Sequence, residues 1–271
     1  MASDRQPGPQ ANSEVTEESG ERASPFGSSY EGDEAVISSV DFNDDLLRAL
    51  EKPGASASGT PNYELVMMSD KEGVDARVEV TTDRFLIGRE NCDLNMDDRF
   101  VSTSHAQLVQ DDGVLLLQDL SSNNGVYLRI ADELALEDKD QILLGRQRLE
   151  FRTSWDRAET DGTADFVDTL GAPDFESPVR VIRYLEGDRI AEVRPFDEEL
   201  LIGRRHGDIV CVEDPLLSPE HAEIVKHGED YFLCDLDSDI GTFIRVHNAV
   251  ELVDGDCFMI GRSRFFLRYA D

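Results

Sequence analysis

Two β-sandwiches in tandem, joined by an acidic linker and preceded by a disordered tail, are the all-β architecture that the sequence predicts. Three observations carry it. Short β-type runs alternate with turn clusters every ~8 to 12 residues, that rhythm stops once and restarts, and a set of landmarks recurs at a nearly fixed offset. At 271 residues the chain has room for two domains of ordinary size.

The elements follow in chain order. Residues 1–60 are rich in Ser, Gly, Pro, Ala and Glu and bury too little apolar surface to offset backbone entropy, so they read as a disordered acidic tail. Within that tail, Phe42, Leu46, Leu47 and Leu50 fall at helical spacing behind acidic residues suited to cap an N-terminus; 41–51 therefore reads as a short helix, either transient or a docking motif. Strand signals occupy 61–153, notably at 84–87, 106–110, 114–118, 126–129 and 147–153. The stretch 154–178 loses the rhythm, carries seven acidic residues against one basic, and reads as a linker. Strand rhythm resumes across 179–271.

The repeat is the strongest organisational signal. Leu86-Ile87-Gly88-Arg89 recurs as Leu201-Ile202-Gly203-Arg204, an offset of 115. Ser102-x-x-His105 recurs as Ser218-x-x-His221, Asp119-Leu120 as Asp235-Leu236, Gly125 as Gly241, and Leu144-Gly145-Arg146 as Ile260-Gly261-Arg262, all at 116. One inserted residue between Asp208 and Ser218 accounts for the change. Two copies joined by a linker read as two independent domains, since a solenoid needs at least three repeats.

Charge excludes some functions. The chain has 58 acidic and 26 basic residues, a formal net charge of −32, and this single-sign field repels nucleic acid and anionic membrane surfaces. The excess is distributed, with nets of −8 in the tail, −9 in the first repeat, −6 in the linker and −9 in the second. Any anion site must build its own positive potential. Apolar runs such as 114–117 are far too short to span a membrane, and the first residues hold no apolar signal segment, which points to the cytoplasm. Cys92, Cys211, Cys234 and Cys257 are widely spaced and read as reduced core fillers rather than disulfides or thiolate ligands.

In each copy Gly-Arg follows a strand, Ser-x-x-His precedes another, and an Asn-Gly turn in the first copy follows a third. Loops at one end of a sandwich converge. Arg89, Ser102 and Asn124 would then supply a guanidinium, a hydroxyl and an amide, a donor set for a phosphate that needs no cofactor and no metal. At these residues the sequence resembles the forkhead-associated (FHA) domain, twice, over about 63–153 and 179–271. The resemblance implies two tandem FHA-like β-sandwiches whose loop rims bind phosphothreonine in extended peptides. It implies that Arg89 and Ser102 contact phosphate, that Asn124 holds the peptide main chain, and that Gly88, His105 and Gly125 shape the loops; Thr103 is expected in the same phosphothreonine site, and Gly203, His221 and Gly241 as the loop residues of the second copy.

Departures from the family pattern separate the copies. Family members commonly carry Arg or Lys directly after the motif serine, where this chain has Thr103 and Pro219. The second copy has Ile240 where the first has Asn124, with Asp237 and Asp239 beside it. The first copy is therefore expected to read phosphothreonine and the second to be degenerate, with Arg204 and Ser218 leaving a weak site. No catalytic residues are expected: Ser102, His105 and Asp119 lack the Gly-x-Ser-x-Gly elbow of a hydrolase, and the histidines of the second copy lack zinc spacing. Arg146 and Arg262 are expected in turns packed away from the rim. The expected function is a phosphothreonine-binding adaptor or scaffold, acting downstream of a threonine kinase on a partner protein or on its own phosphorylated tail, where Thr16 lies among acidic residues. The rival is a phosphate-independent assembly module in a larger complex.

Overall fold

The computed structural model describes residues 62–68, 76–153 and 179–270. The tail with its 41–51 segment and the linker 154–178 lie outside the described residues. The first repeat contributes β1 (Asn62–Met68), β2 (Ala76–Val80), β3 (Arg84–Gly88), β4 (Leu94–Asn95), β5 (Ala106–Asp111), β6 (Val114–Asp119), β7 (Val126–Arg129), β8 (Glu133–Leu136), β9 (Gln141–Leu144) and β10 (Gln147–Arg152). The second contributes β11 (Arg180–Tyr184), β12 (Ile190–Pro195), β13 (Glu199–Gly203), β14 (Ile209–Val210), β15 (Ala222–His227), β16 (Asp230–Asp235), β17 (Thr242–Arg245), β18 (Val250–Leu252), β19 (Cys257–Ile260) and β20 (Ser263–Ala270). No helix appears among the described residues, and the fold is all-β as expected.

Strand alternation sets which side chains enter the cores. Along β3, Phe85 and Ile87 are buried while Arg84 is exposed; the matching β13 buries Leu200 and Ile202 and exposes Glu199. Two five-stranded sheets, in the orders β18-β6-β5-β3-β4 and β14-β13-β15-β16-β8, pack against one ten-stranded sheet, β12-β11-β10-β9-β17-β7-β19-β20-β1-β2. Each end of the long sheet thus backs one sandwich. All four cysteines are free, Cys211 and Cys257 buried and Cys92 and Cys234 half-buried. Burial pushes the Cys234 and Cys257 thiols up to about 11.

Sequence repeats and structural sandwiches do not coincide. After β7 and β17 the chain passes into the opposite sandwich. β8 of the first repeat pairs with β16 of the second, and β18 of the second pairs with β6 of the first. The first sandwich accordingly closes its core with Phe258, Ile260, Phe265 and Leu267 beside Leu65, Leu108 and Leu117, and the second closes with Ile142, Leu144, Leu149 and Phe151 beside Leu200 and Ile224. Boundaries read from the repeat, 61–153 and 179–271, therefore each enclose strands of both sandwiches. Fully burying an aromatic or branched side chain stabilises by ~1.5 to 3 kcal/mol, so each set of four exchanged core residues is a large fraction of a domain's net stability.

The crossover is a tight antiparallel pair. Phe243 lies opposite Arg129 and Arg245 opposite Tyr127, while the Ile130 amide donates to Thr242 O at 3.0 Å and the Val246 amide to Val126 O at 2.8 Å. Residues that alternate with the core positions, Tyr127, Phe243, Cys257, Leu143, Met259 and Phe266, form a third apolar cluster on the central strands.

Candidate functional site

Three loops make the rim of the first sandwich. Gly88 ends β3, and a Cβ there would stand 2.3 Å from Thr103 O, so only glycine lets the 102–104 backbone come this close. The Arg89 amide donates to Ser102 O at 3.0 Å and to Thr103 O at 3.1 Å, which stitches the Gly-Arg step to the Ser-x-x-His loop. His105, buried, ties that loop to the third. Its Nδ1 accepts the Ser102 amide at 3.0 Å, so the ring proton sits on Nε2, which bonds Gly125 O at 3.0 Å. Burial holds His105 below the usual imidazole range, partly opposed by the Gly125 carbonyl and the Asp119 charge. Gly125 adopts φ of 83°, in the left-handed region that favours glycine, and its amide donates to Ser122 Oγ at 2.9 Å.

These bonds bring the expected residues together. Arg89, Ser102, Thr103 and Asn124 line one hollow of about 350 Å³. Ser102 Oγ accepts the Asn123 amide at 3.1 Å and retains its proton for another acceptor. Asn124 Nδ2 donates to Phe100 O at 2.8 Å, which fixes the amide plane across the rim and leaves its carbonyl oxygen and second amide hydrogen without a partner among the described residues. The Arg89 side chain is exposed and has no ion pair or hydrogen bond with the described residues. Among the described residues no carboxylate lines the hollow. In a chain of net charge −32, that is a local reversal of sign.

Arg99 also lines this hollow and was not singled out from sequence. Its guanidinium stands 4.6 Å from the centre of the Phe100 ring and 3.5 Å from Glu186, with both charged side chains largely exposed. An exposed pair at that distance contributes little and can be broken by a better anion. Asp98, beneath the same loop, was also missed. The expectation that the Arg262 turn packs away from the rim is corrected, because the Arg262 amide donates to buried Asp98 Oδ2 at 2.9 Å. The strand exchange causes this, since it brings the β19–β20 turn under the first rim. The matching Arg146 amide donates to Asp214 Oδ2 at 2.8 Å under the second.

The second rim repeats the scaffold and changes the lining. The Arg204 amide donates to Ser218 O at 2.9 Å, His221 bridges the Ser218 amide and Gly241 O, and a Cβ on Gly203 would stand 2.3 Å from Pro219 O. Asp239, however, occupies the position of Asn123: its amide donates to Ser218 Oγ at 3.1 Å, and its own carboxylate accepts from that hydroxyl at 3.5 Å. Ile240 stands where Asn124 would reach across. A hydrolase triad is not formed at the first rim, where the His105 nitrogens meet backbone groups and Ser102 Oγ meets Asn123.

Two sandwiches, each presenting Gly-Arg, Ser-x-x-His and turn-glycine loops at a rim, define the class of fold. The chain belongs to the forkhead-associated domain family, whose model, described as FHA domain, matches residues 85–145 and 200–261. FHA domains are phosphothreonine-binding modules, typically non-catalytic. An oxoglutarate dehydrogenase inhibitor of Corynebacterium diphtheriae is 32% identical over 120 residues, covering 41% of this chain and 84% of that protein. Among solved structures, the FHA domain of an Arabidopsis thaliana hypothetical protein is 13% identical, with 81% of this chain and 95% of that one covered and a TM-score of 0.33. An FHA domain from Chlamydia trachomatis is 10% identical, with coverages of 78% and 99% and a TM-score of 0.32. No helix among the described residues is long and apolar enough to cross a membrane.

Proposed function

We propose that this protein is a non-catalytic cytoplasmic adaptor or signalling scaffold whose first sandwich captures a phosphothreonine-bearing segment of a partner. One observation carries the reading: Arg89, Ser102, Thr103 and Asn124 share a hollow that, among the described residues, contains arginines and no carboxylate. Arg89 supplies fixed charge, the hydroxyls of Ser102 and Thr103 donate to phosphate oxygens, and the second amide hydrogen and the carbonyl of Asn124 hold the peptide main chain. A hydrogen bond to a charged group contributes ~1.5 to 3 kcal/mol, so a few of them plus main-chain bonds reach micromolar affinity. The second sandwich supports the first and leaves at most a weak phosphate contact through Arg204 and Ser218. A threonine kinase acts upstream, on the partner or on the protein's own tail. The corynebacterial relative is named for inhibiting an enzyme, and a module that acts by occupying a protein partner fits the same class.

The test is fluorescence anisotropy of a phosphothreonine peptide library on the full chain. Tight members should lose affinity on dephosphorylation, and Arg89→Ala should weaken them by more than ~100-fold, about 2.7 kcal/mol, with the melting temperature unchanged because an exposed rim arginine packs no core. Equal affinity for phosphorylated and unphosphorylated peptide overturns the reading. A phosphate-independent assembly role is favoured only at the second rim, where Asp239 already engages the serine; self-association that survives phosphatase treatment would point there.

A further inference from the structure

The first rim does not stand on its own repeat. Asp98, buried under the loop that carries Ser102, bonds in two directions: Oδ1 accepts the Phe100 amide at 3.0 Å, and Oδ2 accepts the amide of Arg262 at 2.9 Å with the Arg262 Nε at 3.4 Å. Phe100 O then accepts Asn124 Nδ2 at 2.8 Å. A continuous line of bonds thus runs from the β19–β20 turn of the second repeat through Asp98 and Phe100 to the amide that faces the hollow. The Arg262 guanidinium lies 5.7 Å from the Phe100 ring centre, and a Cβ on Gly261 would stand 2.8 Å from a Val101 methyl, so loop and turn are moulded to each other. Behind the third loop, Arg245 of the second repeat fills the space against Gly125, where an added Cβ would meet its Nε at 2.7 Å.

We propose that the phosphopeptide site is a composite of both repeats, with Asp98, Arg262 and Arg245 as positioning residues and the C-terminal strands of the degenerate repeat as an obligatory part of the reader. This rests on the reader reading above. It gives the second repeat a role that does not need its own rim to bind anything: its strands set the angle at which Phe100 O holds Asn124. It also makes the reader discontinuous in sequence, so that the first repeat alone lacks the turn on which its rim loop is shaped. Burial pushes the Asp98 carboxyl up, but the Phe100 and Arg262 amides and the Arg262 charge outweigh this and hold it below the usual carboxylate range; the anchor stays ionised at neutral pH.

The molecule contains its own control. Asp214 makes the matching bonds under the second rim, to the Arg146 amide at 2.8 Å and the Leu216 amide at 3.1 Å. In the full chain, Asp98→Ala should weaken a phosphothreonine peptide selected above by about tenfold or more, whereas Asp214→Ala should lower the melting temperature by at least as much and leave affinity within about twofold. Arg262→Ala removes only an exposed side chain and keeps the amide; it should fold and weaken binding by about threefold. Equal losses from Asp98→Ala and Asp214→Ala would show a global stability effect and overturn the composite site. So would full affinity in both Asp98→Ala and Arg262→Ala while Arg89→Ala abolishes binding. If Arg89→Ala itself has no effect, the reader reading fails instead. As a second measurement, a protease site placed within 154–178 of the full chain should leave two fragments that co-elute and still bind peptide after cleavage; separation of the fragments under native conditions overturns the proposal.

Discussion

At the first rim Ser102 Oγ accepts the Asn123 amide and keeps its proton available; at the second, Ser218 Oγ accepts the Asp239 amide at 3.1 Å and faces that residue's carboxylate at 3.5 Å. The scaffolding bonds are otherwise the same, with each Gly-Arg amide bonded to the serine carbonyl and each buried histidine bridging a serine amide and a glycine carbonyl. The comparison teaches that the loops are positioned by backbone and histidine bonds that carry no recognition chemistry. Asp239 and Ile240 stand in place of Asn123 and Asn124 without disturbing that frame, which on the proposed reading is where the two rims part. A carboxylate beside the serine both accepts the hydroxyl's hydrogen bond and repels a phosphate dianion.

The comparison is broken most directly by exchanging that lining. In an Arg89→Ala background, where the first rim is silent, Asp239→Asn combined with Ile240→Asn should raise phosphothreonine peptide binding at the second rim from undetectable to measurable, a gain of at least ~30-fold or about 2 kcal/mol, with Arg204 as the cation. Calorimetric titration reads it, and no gain would mean that these two positions are not what separates the rims. The reverse change is smaller. Asn124→Ile should weaken the first rim by ~10-fold, about 1.4 kcal/mol, because it removes the proposed main-chain clamp and the Phe100 bond but leaves Arg89 and Ser102 in place. Unchanged affinity would remove Asn124 from the site.

Most of the rim was legible because each part is local: a Gly-Arg step after a strand, a Ser-x-x-His loop and a turn glycine each reveal themselves within a few residues. The exchange was not legible, for a physical reason. Strand sequence states which face is buried and not which neighbour it pairs with, and two copies of one sequence offer two chemically equivalent sets of partners. Asp98 and Asp214 recur at the 116-residue offset, as do Arg129 and Arg245 and the turns at Arg146 and Arg262. Each aspartate could take a turn amide from either copy, and the path of the chain after β7 and β17 decides that Asp98 meets Arg262 and Asp214 meets Arg146. The recurring Asp was nonetheless a readable signal for a buried anchor. Arg99 had none, since its counterpart at the same offset is Pro215.

The smallest and sharpest difference concerns the two histidines. Both are held below the usual imidazole range, first by burial, and each accepts an amide hydrogen at Nδ1, so protonation would set two N–H groups against each other. In the unfolded chain their pKa returns to about 6.5. Below that pH the unfolded chain takes up protons that the folded one refuses, so the stability they provide is complete above 6.5 and declines as the pH falls towards the depressed folded values. A melting temperature that drops by a few degrees between pH 7.5 and 5.5 is the expected result, and a flat profile would contradict it. The surroundings then separate the pair. Arg245 adds a further depression at His105, opposed by Asp119 and Asp98, whereas His221 has Asp235, Asp214 and Asp239 all favouring its charged form. In an NMR titration of the imidazole protons both midpoints should fall below the usual imidazole range, and Arg245→Gln should raise that of His105. An unchanged His105 midpoint in that variant would mean that the guanidinium carried across by the exchange is not felt at the first rim.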